Sequence, residues 1–211
     1  MKKALIIAIG MAYPAPYQLP DPMNNLSIWL TALSRRGFTS ITQLTEANAT
    51  RTNIIAAMNS FVASLGPNDS GAFIFTGHGG TNVDLNGDES EGLDECIASA
   101  DVQAISDDTM QGIFSQTARP IDIVLDCCYP DNTNLIIKRL WSAATESQYA
   151  HAGISGGLIY SLFSLYMCWA LRNYPNKTAS EIMALIYPYI TRIASDQTPR
   201  LLGQDLNQIP F

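Results

Sequence analysis

Apolar and polar positions alternate in blocks along the chain, and their spacing differs from block to block. Short apolar runs predict buried strands at Ala4–Ile9, Ser40–Leu44, Ala72–Thr76 and Ile121–Asp126. Longer segments with helical spacing predict helices at Pro22–Arg35, Thr50–Leu65, Ser106–Gln116, Ser155–Leu171 and Thr178–Ala194. Because strands and helices alternate, we expect an α/β fold with a central, mostly parallel sheet flanked by helices.

Local signals mark several helix ends and one boundary within the chain. The first two predicted helices end just before Gly37 and Gly66, as expected of glycine C-caps. The sequence "TASE" from Thr178 fits a capping box. We expect a single domain, with a larger part over residues 1–128, a polar linker over 129–153 and a smaller part over 154–211.

Two apolar segments resemble membrane-directed sequences. The N-terminal "MKKALIIAIGMAYPA" resembles a signal peptide, but its apolar run is interpreted as the first buried strand. Ala152–Leu171 holds twenty uncharged residues, enough to span a bilayer. Its serines, glycines and tyrosines favour a buried core helix, and a membrane anchor remains the alternative.

Composition narrows the class of partner. The 12 Lys and Arg residues face 19 Asp and Glu residues, and the net charge of -7 argues against nucleic-acid binding. This balance suits cationic partners such as metal ions and basic peptides. The four cysteines, with Cys127 directly beside Cys128, do not resemble a disulfide framework. We therefore expect reduced thiols and a cytoplasmic protein. We also expect the protein to be a monomer.

Candidate chemistry lies at the ends of two predicted strands. "TGHGG" contains His78, and "DCCYP" contains Asp126 and Cys128. Strand alternation places Asp126 and Cys128 on one face and Cys127 on the other. A thiol beside an imidazole can act as a nucleophile with its base. Taken separately, each segment is more often structural: a small core cysteine or a glycine turn.

Taken together, several segments resemble the metacaspases, which are caspase-like cysteine peptidases. The matching segments, in order, are "KALIIAIG", "ATRTNIIAAM", "DSGAFIFTGHGG", "NGDESEGLDECI", "ISDDTM", "DIVLDCCYPD" and "QTPRLLG". The resemblance implies a caspase-like sandwich and an endopeptidase with Cys128 as nucleophile and His78 as catalytic histidine. It also implies an oxyanion hole made by the backbone N–H groups of Gly79 and Cys128.

The resemblance also implies cleavage of peptides after Arg or Lys. Asp126 matches the acid of the family's S1 pocket, and Thr76 a hydroxyl beside it. Two departures are present: Asn25 replaces the usual second acid, and Tyr129-Pro130-Asp131 replaces His-Ser-Gly. They sustain an alternative hypothesis, a catalytically weak or inactive caspase-like scaffold.

The acidic stretch has its own interpretation. The resemblance places an activating calcium ion on Asp94, Asp107 and Asp108. An EF-hand loop is also suggested by the spacing of Asp84, Asn86, Asp88, Ser90 and Glu95. It is rejected because Glu89 replaces the required glycine and a predicted strand precedes the loop. The alternative is a solvated acidic loop that caps the helix at Ser106.

Overall fold

The structure is a computed structural model that describes residues 1–84, 87, 92–129 and 139–211. The EF-hand positions Asn86, Asp88 and Ser90, and Pro130-Asp131 after the cysteines, lie outside the described residues. The strands are β1 (Lys2–Ala8), β2 (Phe38–Thr45), β3 (Ser70–Thr76), β4 (Gly79–Val83), β5 (Leu93–Ala98), β6 (Ala104–Ser106), β7 (Ile121–Asp126), β8 (Arg139–Ser142), β9 (Ala152–Ser155), β10 (Leu158–Ser161) and β11 (Arg200–Gly203). The helices are α1 (Pro22–Arg35), α2 (Arg51–Ser64), α3 (Asp107–Phe114), α4 (Leu162–Asn173) and α5 (Ala179–Ile193).

A six-stranded sheet forms the centre of the fold, in the order β11-β8-β7-β3-β1-β2. All neighbours pair in parallel except β11, which runs antiparallel to β8. The predicted mostly parallel central sheet is therefore confirmed. Parallel sheets need cover on both faces, which explains why the central strands are apolar throughout their length.

Helices cover both faces of this sheet. Along β1, Ile6 and Ala8 pack into the layer formed with α1, α4 and α5, whereas Leu5 and Ile7 pack into the layer of α2 and α3. This alternation follows from the pleat, which directs successive side chains to opposite faces. The result is the predicted sandwich of helices around a sheet.

Four of the five predicted helices match closely. Helix α1 has the predicted bounds, and the capping box at Thr178 is present before α5, with reciprocal hydrogen bonds to Glu181. The fifth prediction, a helix from Ser155 to Leu171, is wrong in its first part. Residues 152–161 instead form an antiparallel hairpin, β9 and β10, and α4 begins only at Leu162.

The hairpin has a clear local cause. Gly156 and Gly157 have φ angles of 58° and 81°, which suit the tight turn between β9 and β10. Ser161 then caps α4 by accepting from the backbone N–H groups of Phe163 and Ser164. Within the described parts of the chain, no helix has the length and apolar character needed to cross a bilayer.

The segment expected to be an irregular linker also contributes to the sheet. Residues 139–142 form β8, which pairs in parallel with β7, so the linker expectation is wrong over these residues. Arg139 is buried there and forms an ion pair with Asp122. A buried partner from the neighbouring strand allows this polar segment to enter the sheet.

A second, three-stranded antiparallel sheet, β4-β5-β6, was not predicted. It starts directly after His78, and the N–H of Ala98 donates to the His78 carbonyl at 2.9 Å. This small sheet therefore fixes the backbone of the histidine loop. All four cysteines are free thiols, as expected.

Candidate active site

His78 and Cys128 occupy equivalent positions after two adjacent strands. Strands β3 and β7 pair in parallel with Thr76 opposite Asp126, and each candidate residue lies two positions further along. Both residues line a single cavity of about 120 Å³. The structure thus brings together the two residues that the sequence proposed as nucleophile and base.

The imidazole of His78 is held on several sides. Its Nε2 lies 2.7 Å from the carbonyl oxygen of Tyr17. A carbonyl oxygen can only accept, so Nε2 carries the proton and Nδ1 of the neutral ring is left as an acceptor. The backbone N–H of His78 donates to the Tyr13 hydroxyl at 3.1 Å, and the two rings meet edge to face at 4.6 Å. These contacts set both the orientation and the tautomer.

The two neighbouring cysteines have different surroundings. Cys127 is 3% exposed and packs into the layer of α2 and α3, as strand alternation predicted. Burial raises the pKa of the Cys128 thiol, a hydrogen bond with the Ala150 backbone opposes this effect, and the charge of Asp126 adds to it. A thiol with a raised pKa needs a base before it can attack.

Gly79 makes an unusually close contact behind this pair. A Cβ atom on Gly79 would lie 2.1 Å from the carbonyl oxygen of Cys128 and 2.8 Å from Sγ of Cys127. Only glycine therefore permits this approach of the two loops. The proposed oxyanion donor thus lies in contact with the backbone of the proposed nucleophile.

Asp126 lies at the end of β7 and is almost fully buried. Its Oδ1 accepts from Ser161 Oγ at 2.5 Å, and its Oδ2 accepts from Ser164 Oγ. Burial raises the pKa of the Asp126 carboxyl to about 7, although both hydroxyls favour the ionised form. The residue lines the same cavity as Cys128.

The two other predicted S1 residues, Asn25 and Thr76, lie deeper. They are 0% and 1% exposed, respectively. Asn25 Nδ2 donates to Thr76 Oγ1 at 2.9 Å and to Asp21 Oδ2 at 3.0 Å. Asn25 Oδ1 accepts from the N–H of Ser161 at 3.0 Å. Asn25 therefore holds Asp21 and Ser161 in place, and these two residues line the cavity.

The predicted calcium ligands lie at a different location, on β5 and at the start of α3. Asp94 and Asp107 are 6% and 1% exposed, and both charges help to raise the pKa of Cys96 to about 11, for which burial is the main cause. Carboxylate oxygens are the ligands that calcium prefers. Among the described residues, however, no group of three or more His, Cys, Asp or Glu side chains could hold a metal ion.

Comparison with known proteins identifies the family. The family model described as "Metacaspase, peptidase C14 domain" matches residues 2–134. The chain belongs to this metacaspase family.

Individual metacaspases show how far the relationship extends. Metacaspase-1 of Meyerozyma guilliermondii is 30% identical over 88% of this chain and 51% of its own length. Metacaspase-1A of Aspergillus clavatus is 41% identical over 38% of this chain and 20% of its own length. The chain thus spans about half the length of the first relative and a smaller share of the second.

Solved structures confirm the caspase-like fold of this metacaspase. A protein from Geobacter sulfurreducens superimposes with a TM-score of 0.78 at 19% identity, covering 100% of this chain and 98% of its own. The Drosophila initiator caspase Dronc superimposes with a TM-score of 0.70 at 11% identity, covering 99% and 81%. At these identities the similarity concerns the fold alone.

The metacaspase cavity also contains residues that sequence reasoning missed. Asp21, His151 and Ser161 line it together with the predicted residues. His151 Nε2 lies 3.1 Å from Asp196 Oδ2. Asp21 could have been found from its place just before the proline that starts α1, where acidic residues are favoured. The other two residues reach the cavity only through the hairpin that was not predicted.

Proposed function

We propose that this protein is a cysteine endopeptidase that cleaves after Arg or Lys. The main support is the position of Cys128 and His78. Each lies two residues after a paired position at the ends of β3 and β7, and both line one cavity with the buried carboxyl of Asp126. Membership of the metacaspase family supports the same reaction class. Burying the carboxylate of Asp126 is costly, and a strand end with only a structural role would not need it.

The proposed reaction begins with proton transfer from Cys128 Sγ to His78 Nδ1. The thiolate then attacks the carbonyl carbon of the scissile peptide bond, and the N–H groups of Gly79 and Cys128 stabilise the oxyanion. The C–N bond breaks as the imidazolium returns its proton to the departing amine. Water, deprotonated by His78, then hydrolyses the thioester and releases the thiol.

Specificity for basic residues follows from the charge of the cavity. Burial of the Asp126 carboxyl raises its pKa, even though hydroxyl groups donate to both of its oxygens. A guanidinium or ammonium group entering the cavity would stabilise the ionised form, because an opposite charge nearby favours ionisation. An acidic P1 side chain would instead be repelled.

We also propose calcium as an activator, held in part by Asp94, Asp107 and Asp108. The support is the burial of the Asp94 and Asp107 carboxyls, because burying a carboxylate is costly unless a positive charge or hydrogen bonds offset the loss of hydration. Calcium takes six to eight oxygen ligands, so these residues would supply only part of its shell. Bound calcium would supply positive charge there and leave the chemical steps to Cys128 and His78.

Peptide hydrolysis tests the proposal directly. Fluorogenic peptides with P1 Arg, Lys or Asp are compared with and without calcium, and Arg and Lys peptides are expected to be cleaved in preference to Asp. Cys128→Ala is expected to abolish turnover, whereas the matched variant Cys127→Ala keeps most of it because its thiol faces the core. Equal loss in two folded variants would overturn the assignment of the nucleophile.

A non-catalytic scaffold is the second candidate, and the raised pKa of the Cys128 thiol is the observation that favours it. A thiol that stays protonated is a poor nucleophile. A thiol-reactive arginyl-ketone probe separates the two functions. An active peptidase is labelled at Cys128 and not in a His78→Ala variant, whereas a scaffold is labelled in neither.

A further inference from the structure

The cavity beside Cys128 contains a second carboxyl group, on Asp21. Asp21 is 9% exposed and lines this cavity together with Asp126, His78 and Cys128. It precedes α1 and comes from a part of the chain distant in sequence from both catalytic candidates. A nearly buried carboxylate at a cavity wall requires a reason, because desolvation penalises its charge.

The usual structural reason does not apply to Asp21. An aspartate at a helix N-cap normally accepts from the backbone N–H groups of the first turn. Within the described first turn of α1, the Asp21 side chain makes no such capping bond. Its Oδ2 instead accepts from Asn25 Nδ2 at 3.0 Å, one helical turn further on. The side chain is therefore held by Asn25 beside the cavity and not by the helix end.

The surrounding charges favour a cationic ligand. Asp21 and Asp126 are close enough that Asp21 contributes to raising the pKa of Asp126. Among the described residues that line the cavity, none is a lysine or an arginine. Burial also raises the pKa of Asp21, while its hydrogen bond with Asn25 and the charge of His78 lower it.

We propose that Asp21 is the second acid of the S1 pocket and binds the basic P1 side chain together with Asp126. Asp21 carries the charge at the position just before α1, four residues before Asn25, and the Asn25 amide orients it. This inference rests on the proposed peptidase function and specifies which residue sets its preference. Asn25 thereby becomes a positioning residue and not a missing charge.

The test compares P1 arginine with P1 citrulline, which has the same shape and no charge. For Asp21→Asn, we expect the ratio of kcat/KM values (arginine over citrulline) to fall at least about tenfold, or about 1.4 kcal/mol. Asp101→Asn is the matched control, because Asp101 is an exposed aspartate whose contacts are to Ser99 and Arg51. This control is expected to leave the ratio unchanged.

A second variant returns the charge to the neighbouring turn. Asp21→Asn combined with Asn25→Asp is expected to recover part of the arginine preference, which a merely structural role of Asp21 would not produce. An unchanged ratio in Asp21→Asn, or an equal loss on both peptides, would overturn the proposal. So would a folded double variant that shows no recovery.

A binding measurement separates this inference from the peptidase function. Agmatine, which carries a guanidinium group, is titrated into the Cys128→Ala protein by calorimetry, with and without Asp21→Asn. Weaker binding in the Asp21 variant supports the inference even if the wild type cleaves neither peptide. Equal binding overturns it, while cleavage by the wild type would leave the peptidase function standing.

Discussion

The hydroxyl of Ser161 donates a hydrogen bond of 2.5 Å to Oδ1 of Asp126. This bond joins the last residue of β10 to the last residue of β7, across the boundary between the predicted larger and smaller parts of the chain. Ser161 also caps α4 and donates its N–H to Asn25. A single residue, through its hydroxyl and its backbone N–H, thus connects the acid of the cavity to α4 and α1.

The first prediction concerns the pH dependence of stability. The pKa of Asp126 rises from an ordinary value of 3.8 to about 7 on folding, so its stabilising effect is complete below pH 3.8 and is lost as the pH rises through 7. Relative to Asp126→Asn, the wild type is expected to lose unfolding free energy between these values. The loss is at most about 4 kcal/mol, the linkage value for such a shift.

Chemical unfolding of both proteins from pH 4 to pH 8 measures this difference. Titrating groups that do not interact with Asp126 contribute equally to the two curves and cancel. Parallel curves would show that Asp126 titrates normally in the folded protein.

The second prediction compares two adjacent glycines. Gly79→Ala would place a Cβ atom 2.1 Å from the Cys128 carbonyl oxygen, whereas a Cβ atom on Gly80 meets no described atom within 4 Å. Because backbone atoms cannot move aside cheaply, we expect Gly79→Ala to cost at least about 2 kcal/mol and most of the peptidase activity. Gly80→Ala is expected to change stability by less than about 1 kcal/mol.

Thermal unfolding and peptide hydrolysis check both glycine variants side by side. Similar behaviour of the two proteins would contradict the close approach between the histidine and cysteine loops.

The third prediction concerns the buried ion pair between β7 and β8. Arg139 Nε and Nη2 donate to the two carboxylate oxygens of Asp122 at 2.5 and 2.8 Å, and both side chains are about 5% exposed or less. Arg139→Met would leave the buried Asp122 charge without its ion-pair partner, although Trp141 Nε1 and the N–H of Phe211 still donate to it, and breaking such a pair typically costs about 3–5 kcal/mol. Urea unfolding measures the loss.

An exposed ion pair provides the control for this variant. Lys177 and Glu181 lie 3.3 Å apart at the start of α5, with side chains 35% and 52% exposed. Lys177→Met is expected to cost less than about 1 kcal/mol. A comparable loss of unfolding free energy in both variants would mean that the burial of Arg139 does not increase the contribution of its ion pair to stability.

The fourth prediction concerns calcium. Peptidase activity is expected to rise with calcium at about 10⁻⁴–10⁻³ M, the range of weak calcium sites. Magnesium substitutes poorly because it requires a tighter octahedral shell. The combined change Asp107→Ala and Asp108→Ala is expected to remove the response while Cys128 still reacts with a small alkylating agent.

Asp101→Ala is the control for the calcium experiment, because this exposed aspartate precedes β6 and lies outside the proposed ligand set. It should retain the calcium response. A chelated wild-type enzyme that works at full rate would show that the acidic residues only cap and solvate α3.

Several features of this protein were predictable because their causes are local. Helix α1 follows from Pro22 at its start and its amphipathic spacing, and the capping box at Thr178 lies within four residues. The packing of Cys127 into the layer of α2 and α3 was predictable from strand alternation. The apolar runs that form β1, β3 and β7 also identified the central sheet, because each run is a continuous local signal.

Other features depended on partners far along the chain. The short strands β4, β5, β6 and β8 carry too few apolar residues for a periodic signal, and they exist because of their neighbours. Residues 152–161 are apolar and uncharged, which favoured the prediction of a helix start. The adjacent Gly156 and Gly157, both with positive φ angles, were the sequence signal for a hairpin turn.

The sequence by itself determined the family, the type of fold and the two strand-end residues proposed for catalysis, because these depend on short motifs and on the order of apolar segments along the chain. Only the tertiary structure decided what surrounds them. The raised pKa of Asp126, the tautomer of His78 and the entry of Asp21 into the cavity each require groups from separate elements to meet. Burial and charge–charge distance are properties of three-dimensional contacts, and residue spacing does not specify them.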